Sequence, residues 1–220
     1  QVNAKIGLTF ASVLRTTLRH DPDVIMLGEI RDQETAEIAI RAALTGHMVL
    51  SSVHTNDAIS TAVRLMDMGI EGYLVASSLR AIIAQRLVRR ICPDCNTVDT
   101  IESQQLAWVE RLSGWSYQSP IFYRGDGCNQ CNSSGYRGRI GVYELLELSG
   151  PMMHALQKND SMLFTRTAQA DTKFRSLARC ALDYAEQGIT TVAEVQRIAN
   201  ESTAEDAEEA LEVPAENTAT

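Results

Sequence analysis

The sequence has 220 residues, of which 45% are hydrophobic and 22% are charged, the balance of a globular protein. Its net charge of −8 lies almost entirely in residues 201–220, which hold seven acidic residues and no basic ones, so that 21 acidic and 20 basic residues remain elsewhere. A near-neutral body argues against a nucleic-acid-binding surface, and no apolar run approaches the roughly 20 residues that cross a bilayer. We expect residues 201–220, which are rich in alanine, glutamate and threonine, to form a mobile acidic tail.

Helices and strands are predicted to alternate over the first ninety residues. Apolar residues at helical spacing, together with capping residues, predict helices over 9–19, 32–44 and 57–68. Four apolar residues in a row predict a strand within 23–29 that is buried on both faces, and Met48–Val53 is predicted to be a second apolar strand. This order of elements indicates a parallel sheet with right-handed crossovers.

The rest of the chain is predicted to be less regular. A helix is expected from about 72 to 89, followed by a loop-rich region over 92–139 that contains several glycines. Residues 140–148 return to the pattern of a strand, and residues 151–198 predict a small helical subdomain. Its last helix opens with Thr191-Val192-Ala193-Glu194, the pattern of a capping box.

An acidic residue follows the first predicted strand directly. Glu29 stands after Gly28, at the carboxyl end of the apolar run Val24–Leu27. A carboxylate at this edge of a parallel sheet is the Walker B arrangement of P-loop NTPases, where it meets Mg²⁺ or a water bound to the ion. The alternative is a buried strand followed by an ordinary surface glutamate.

Two histidines flank the second predicted strand. His47 precedes this strand, and His54 follows it at the same sheet edge as Glu29 if the two strands are parallel. A histidine in that position can hydrogen-bond a γ-phosphate and so report its presence. The alternative for either residue is a structural histidine whose ring is satisfied by the backbone.

Four of the five cysteines form two C-x-x-C pairs. Cys92 and Cys95 are separated by 32 residues from Cys128 and Cys131, a spacing that suits a tetrahedral site of four thiolates. Four thiolates close the coordination sphere, so the sequence predicts structural Zn²⁺ rather than catalytic zinc. Cys180 stands apart in a predicted helix, and we expect it to be a small buried residue.

Longer strings of residues resemble a known family. The run DPDVIMLGEIRDQETAEIAIRAALTGHMVLSSVHTNDA, residues 21–58, is similar to the secretion ATPase family, the motors of type II secretion and type IV pilus assembly. Within it DPDVIMLGEIRD resembles the family's Walker B signature and TGHMVLSSVHTNDA its His box. The resemblance continues through QRLVRRICPDC, GYRGRIGVYELLEL and GITTVAEVQRIA, and covers about residues 1–199.

The resemblance implies roles for several residues. Glu29 would be the Walker B acid that serves Mg²⁺ and water, and His54 the histidine that faces the γ-phosphate of ATP. Arg15 and Arg19 stand where related motors place arginines near the subunit interface, and an arginine there neutralises charge on the transferring phosphate. As ordinary solvated helix charges, the two arginines would have no such role.

The resemblance also implies a fold and its division along the chain. The fold is α/β, with the C-terminal portion of a RecA-like P-loop NTPase core over residues 1–90. A tetracysteine zinc-binding element follows over 91–139, and a strand with a small helical subdomain over 140–200. The acidic tail takes up 201–220.

The implied assembly is a homo-hexameric ring in the cytoplasm, peripherally associated with the inner membrane. The resemblance implies an inner-membrane platform protein and a membrane-anchored adaptor as partners, and no nucleic acid. Assembly and export motors of this family typically carry the tetracysteine element, whereas retraction motors resemble the same core without it. We therefore expect a role in pilus assembly or protein export.

One family motif does not occur in this sequence. There is no G-x-x-x-x-G-K-[ST] stretch, and without that loop no backbone cradle holds the phosphates of ATP. We therefore expect the chain to be part of a longer protein and not to hydrolyse ATP by itself. The alternative function is a non-catalytic, zinc-stapled interaction module on a degenerate NTPase scaffold. A nucleic-acid-binding zinc protein is a third possibility, which the near-neutral body disfavours.

Overall fold

A computed structural model describes residue 5 and residues 7–209 of the chain. The chain forms two compact units, and each draws on two separate stretches of sequence. The first unit comprises the residues up to Ile83 together with Leu145–Phe174, and the second comprises Ala84–Glu144 together with the residues from Arg175 onward. The four-segment organisation expected from the sequence stays a prediction. The boundaries of the two compact units fall at other residues.

The first unit contains two short strands and a set of helices. In chain order these are α1 (Phe10–Thr17), β1 (Val24–Leu27), α2 (Gln33–Leu44), β2 (Met48–Ser51), α3 (Ala58–Asp67), α4 (Gly72–Ser78), α6 (Gly150–Gln157) and α7 (Ser161–Gln169). Four of these helices begin at side chains that accept a backbone N–H of the first turn, a contact that stabilises a helix start. Thr9 caps α1, Asp32 caps α2, Asp57 caps α3 and Asp160 caps α7.

The two strands of the first unit are parallel, as the order of elements predicts. Val24 is opposite Met48 and Leu27 is opposite Ser51, so the carboxyl ends of β1 and β2 lie side by side. The chain therefore has the predicted α/β fold with a parallel sheet, and the segments that follow the strands leave from one edge.

The prediction that the first strand is buried on both faces is wrong. Ile25 and Leu27 are buried, but Met26 is 86% exposed and Met48, on the neighbouring strand, is 61% exposed. Val24 and Leu50 are exposed as well. The parallel register puts these exposed residues on one face of the sheet, and no layer of the described residues covers that face.

The predicted helix from about 72 to 89 begins as expected, but its second half is wrong. Helix α4 ends at Ser78, and the chain continues as strand β3 (Ala81–Ile91), which pairs with β6 (Tyr136–Glu147). The chain passes between the two units within these strands. Tertiary pairing overrides the helical reading here, because a long partner strand supplies the backbone hydrogen bonds that a helix would otherwise make.

The second unit is built around the cysteine pairs. Besides the paired strands it contains β4 (Asn96–Asp99), α5 (Ser103–Ser113), β5 (Phe122–Gly125), α8 (Leu177–Glu186) and α9 (Val192–Glu209). Strands β4 and β5 are antiparallel. The elements within 92–139 were not predicted, because short strands and a single helix between glycine-rich turns give little periodic signal.

A cluster of apolar side chains forms the core of the second unit. Its buried members come from β3, α5, β5, β6, α8 and α9. They are Val88, Val109, Phe122, Val142, Leu177, Ala181, Leu182, Ala185, Val192, Val195 and Ile198.

Helix α9 begins as predicted and ends later than predicted. The Thr191 hydroxyl accepts the backbone N–H of Glu194 at 3.2 Å, as in a capping box. The helix then continues to Glu209, into the segment expected to be a mobile tail. The remaining tail residues, 210–220, lie outside the described residues. No described helix is both long enough and apolar enough to cross a membrane.

Candidate functional site

The structure brings Glu29 and His54 together at one edge of the sheet. Glu29 follows β1 by two residues and His54 follows β2 by three, and the parallel register places both segments at the same edge. His54 Nε2 lies 3.0 Å from Glu29 Oε2. The imidazole is 81% exposed and the carboxylate 21% exposed, so both groups remain open to a ligand.

A third residue contacts the same carboxylate. Arg31 Nε lies 2.7 Å from Glu29 Oε2, the oxygen that also faces His54. Hydrogen bonding from Arg31, and after it from His54, holds the pKa of Glu29 below its usual value. The carboxylate therefore stays ionised at neutral pH, as a ligand to a cation or to its bound water must be.

Sequence reasoning missed Arg31, although a signal was present. Residues two apart on an extended segment point to the same side, and Glu29 and Arg31 are so spaced. The structure therefore adds one basic residue to the predicted pair at the sheet edge.

Arg15 pairs with a carboxylate other than Glu29, and Arg19 lies outside the helix predicted to carry it. Arg15 Nη2 is 2.6 Å from Glu34 Oε1, and both side chains are more than half exposed. Helix α1 ends at Thr17 with Leu18 as its C-cap, so Arg19 lies beyond the helix that was expected to carry both arginines on one face. The catalytic role of the two arginines stays a prediction.

His47 has a structural environment. Its Nδ1 lies 3.0 Å from the carbonyl oxygen of Ala42 and 3.2 Å from the Thr45 hydroxyl, both at the end of α2. The ring thus covers backbone at a helix C-terminus. His54 differs from His47, because its ring contacts the Glu29 side chain at the sheet edge.

The four paired cysteines converge in the second unit. Their Sγ atoms all lie within 4.8 Å of one another. The distances are 3.9 Å from Cys92 to Cys128, 3.9 Å from Cys95 to Cys131 and 3.7 Å from Cys128 to Cys131. A tetrahedral zinc with Zn–S bonds of about 2.3 Å separates its sulfurs by roughly 3.8 Å. The donor set and its spacing therefore fit a tetrahedral metal ion held by four thiolates.

Backbone geometry shapes this cluster. Each C-x-x-C pair spans a 3-10 turn, Pro93–Cys95 and Asn129–Cys131. Burial would raise the pKa of the Cys131 thiol, but backbone N–H groups of Cys128 and Gly135 lower it to about 6. Amide donors aimed at the Cys131 sulfur favour its thiolate, the form that binds metal, whereas burial raises the pKa of the Cys92 and Cys95 thiols.

Two glycines let the backbone segments on either side of the second C-x-x-C turn approach each other. A Cβ on Gly125 would lie 2.0 Å from the carbonyl oxygen of Gly135, and a Cβ on Gly135 would lie 2.4 Å from that of Gly125. The Gly135 carbonyl also accepts the N–H of Cys92 at 2.9 Å. Side chains are excluded at both positions, because the two backbones are in contact there.

A buried carboxylate in the second unit was not predicted as such. Glu194 is 1% exposed and accepts the backbone N–H and the guanidinium of Arg89 at 2.8 to 3.0 Å. Arg197 contacts the same carboxylate, and the Arg89 guanidinium lies 4.1 Å from the centre of the Tyr136 ring. Burial would raise the pKa of Glu194, but hydrogen bonds from Arg197 and Arg89 lower it to about 2. The capping-box pattern thus holds for Thr191, whereas the Glu194 side chain binds β3.

Comparisons with known proteins bear on the family and the fold of the chain. A sequence model of the family described as "Type II/IV secretion system protein" matches residues 1–197. The Type II secretion system ATPase E of Vibrio cholerae is 44% identical over 204 residues, which are 92% of this chain and 39% of that protein. The Type IV pilus assembly ATPase PilB of Acinetobacter baylyi is 40% identical over 204 residues, 91% of this chain and 34% of that protein. The chain thus spans about two fifths of the length of these relatives or less.

Solved structures resemble the fold as well. The pilus retraction motor PilT with bound ADP aligns with a TM-score of 0.59 and 26% identity, over 86% of this chain and 43% of that chain. The ATPase DotB of Legionella pneumophila aligns with a TM-score of 0.60 and 21% identity, over 87% of this chain and 42% of that chain. The second likeness is a likeness of fold.

Proposed function

The chain belongs to the type II/IV secretion system protein family, and from this premise we propose that it is the C-terminal part of a motor that couples ATP hydrolysis to type II secretion or type IV pilus assembly. The observation that carries the proposal is the contact between Glu29 and His54, 3.0 Å apart at the carboxyl edge of a parallel sheet. Ligands of open α/β sheets bind at this edge. The likeness to PilT, solved with bound ADP, supports a nucleotide as that ligand.

Each residue at the edge has a distinct part in this proposal. The Glu29 carboxylate would hold Mg²⁺ or its bound water, because a partly exposed, ionised oxygen ligand suits a hard cation. Mg²⁺, when bound, neutralises charge on the phosphate oxygens of ATP. His54 would turn its exposed ring toward the γ-phosphate, and Arg31 would keep Glu29 ionised and oriented.

Arg15 and Arg19, both in the first unit, would act on the charge of the phosphate. Arg15 would first have to leave Glu34, with which it forms an exposed ion pair of the kind that contributes little free energy. Arg19 lies past the end of α1 and is exposed. Either guanidinium would neutralise charge that develops on the transferring phosphate.

The cysteine cluster would serve the same protein as a structural element. We propose that Cys92, Cys95, Cys128 and Cys131 hold Zn²⁺, which closes the turns around a site with no open position. This element favours pilus assembly or export over retraction. A cytoplasmic homo-hexamer at the inner membrane, acting with a platform protein and a membrane-anchored adaptor, completes the proposal.

A second function is favoured by one feature of the sequence. No P-loop occurs in these 220 residues, so the chain could be a non-catalytic, zinc-stapled interaction module. The motor proposal instead assigns the P-loop to the part of the relatives that this chain does not cover. In that case this chain alone has no ATPase activity, and the full-length protein does.

The test compares two glutamates in the full-length protein. Glu29→Gln keeps the shape of the side chain and removes the ionised oxygen, so we expect turnover to fall at least about 100-fold while nucleotide affinity stays within about threefold. Glu71→Gln is the matched control, since Glu71 is exposed and its side chain makes no capping bond. Absence of turnover from the wild-type protein, or equal turnover of the two variants, would favour the non-catalytic module.

A further inference from the structure

A single residue brackets Glu29 from both sides. The Ser52 hydroxyl donates to the carbonyl oxygen of Gly28 at 2.8 Å. The Ser52 carbonyl oxygen accepts the backbone N–H of Ile30 at 2.9 Å. Gly28 and Ile30 are the two neighbours of Glu29, so the peptide groups on either side of the acidic residue are both bonded to Ser52.

This bracket joins the two segments that carry the candidate site. Ser52 lies one residue past the end of β2 and two residues before His54. Glu29 lies on the segment after β1, beyond the last paired residues Leu27 and Ser51. The bonds of Ser52 therefore extend the link between the two segments past the end of the ladder.

The side-chain bond is the part of the bracket that depends on residue type. Any residue at position 52 supplies the carbonyl oxygen that accepts from Ile30. The bond to the Gly28 carbonyl oxygen, in contrast, needs a side chain that can donate a hydrogen bond. Gly28 has no side chain to restrict its backbone, so an external bond to its carbonyl is one of the few restraints on its conformation. Ile30 is buried, which anchors the other end of the segment.

The neighbouring serine provides a contrast. Ser51 is also exposed, and its hydroxyl lies 3.4 Å from the Ser52 carbonyl oxygen, a contact within the same short segment. It does not join the Glu29 segment to the His54 segment. The two serines thus differ in what their hydroxyls bind although they have the same chemistry and similar exposure.

We infer that Ser52 is a positioning residue for the proposed ATPase site: its hydroxyl holds the backbone at Gly28 so that the Glu29 carboxylate faces His54. The inference rests on the proposed function of Glu29. Ser52 itself need not touch nucleotide, Mg²⁺ or the attacking water. A carboxylate displaced by about 1 Å would lose reaction rate more than substrate binding, since placement of reacting groups chiefly affects the chemical step.

The first arm of the test uses this 220-residue chain and needs no activity. Amide hydrogen exchange is measured at Ile30 for the wild type, Ser52→Ala, Ser51→Ala and Ser52→Thr. Loss of one hydrogen bond should speed exchange at Ile30 about five- to tenfold in Ser52→Ala. Ser51→Ala and Ser52→Thr should stay within about twofold of the wild type, because threonine keeps the hydroxyl and tolerates extended backbone. Equal exchange in the two alanine variants would overturn the inference.

The second arm measures ATP turnover in the full-length protein. We expect Ser52→Ala to lower kcat about tenfold with KM for ATP unchanged within about twofold, and Ser52→Thr to restore kcat. A kcat equal to that of Ser51→Ala, or a loss that threonine does not restore, would contradict the positioning role. Failure of the proposed function gives a different result, in which Glu29→Gln leaves turnover unchanged as well.

Discussion

In the first unit, Glu29 and His54 meet from exposed segments that follow two four-residue strands. In the second unit, the four cysteines lie on two turns, the second of them closed by contact between the Gly125 and Gly135 backbones, and the same unit contains a carboxylate that is 1% exposed. The first arrangement leaves its groups free to exchange partners when a ligand binds, and the second holds its groups in one place. The contrast suits a catalytic edge in one unit and a structural metal in the other.

The largest expected effect comes from removing the metal site. Cys131→Ser should lower Zn²⁺ affinity at least about 100-fold, because a fourth thiolate is lost from a closed site. Amide exchange over residues 92–136 should then rise at least about tenfold, while α2 in the first unit stays unchanged. Cys180→Ser is the matched control, since Cys180 is not among the clustered thiols. Zinc content equal to that of the control would remove the distinction between the two units.

The contact between the Gly125 and Gly135 backbones gives the next largest effect. Gly135→Ala should lower the free energy of unfolding by about 3 kcal/mol or more, because its Cβ would lie 2.4 Å from the Gly125 carbonyl oxygen. Gly138→Ala should lower it by only about 1 kcal/mol, since Gly138 has a similar positive φ but open space around it. Denaturant unfolding of the two variants separates steric contact from backbone strain. Equal losses of unfolding free energy in the two variants would mean that the backbone segments at Gly125 and Gly135 can move apart freely.

The buried carboxylate should matter somewhat less. Glu194→Gln should cost about 2 to 3 kcal/mol, since it weakens the charged hydrogen bonds from Arg89 and Arg197. Glu201→Gln is the control; its exposed pair with Arg197 should contribute less than about 0.5 kcal/mol.

The same carboxylate predicts a pH dependence. Its pKa is lowered to about 2 in the folded protein, so its contribution is present in full above the ordinary pKa of a glutamate and is lost as pH falls through that value toward 2. Stability of the wild type should therefore decline more steeply than that of Glu194→Gln between about pH 5 and pH 2. Parallel curves for the two proteins would show that the carboxylate has no such linkage.

The smallest effect concerns the open face of the first sheet. Met26→Gln should change the stability of this chain by less than about 0.5 kcal/mol, because the side chain is 86% exposed. Ile25→Ala should cost about 2 to 4 kcal/mol, since the adjacent side chain is 5% exposed. A comparable loss for both would mean that the two faces are equally covered in solution.

The parts of the fold that follow local rules could be predicted from the sequence. The apolar runs and capping residues indicated β1, β2 and the helix between them, and the parallel order placed Glu29 and His54 at one edge. The spacing of the cysteines predicted a tetrahedral set of thiols. Such features depend on residues close in sequence or on a strong donor preference.

The parts that depend on distant partners could not be predicted. The sequence predicted a helix where β3 forms. The partner strand β6 lies far along the chain, so the residues around β3 carry no signal of the pairing. The exposure of Met26 depends on which layers cover the sheet, and the burial of Glu194 depends on Arg89, 105 residues away. Long-range contacts of this kind leave no periodic signal in the sequence around either residue.

A double-mutant cycle in the full-length protein is the direct test of the proposal that Glu29 and His54 act together on ATP at one sheet edge. The turnover numbers of Glu29→Gln, His54→Ala and the double variant are compared with that of the wild type. Residues that act as a unit should be strongly non-additive, so the double variant should turn over within about threefold of Glu29→Gln alone. Independent losses that multiply in the double variant would contradict a joint role for the two side chains.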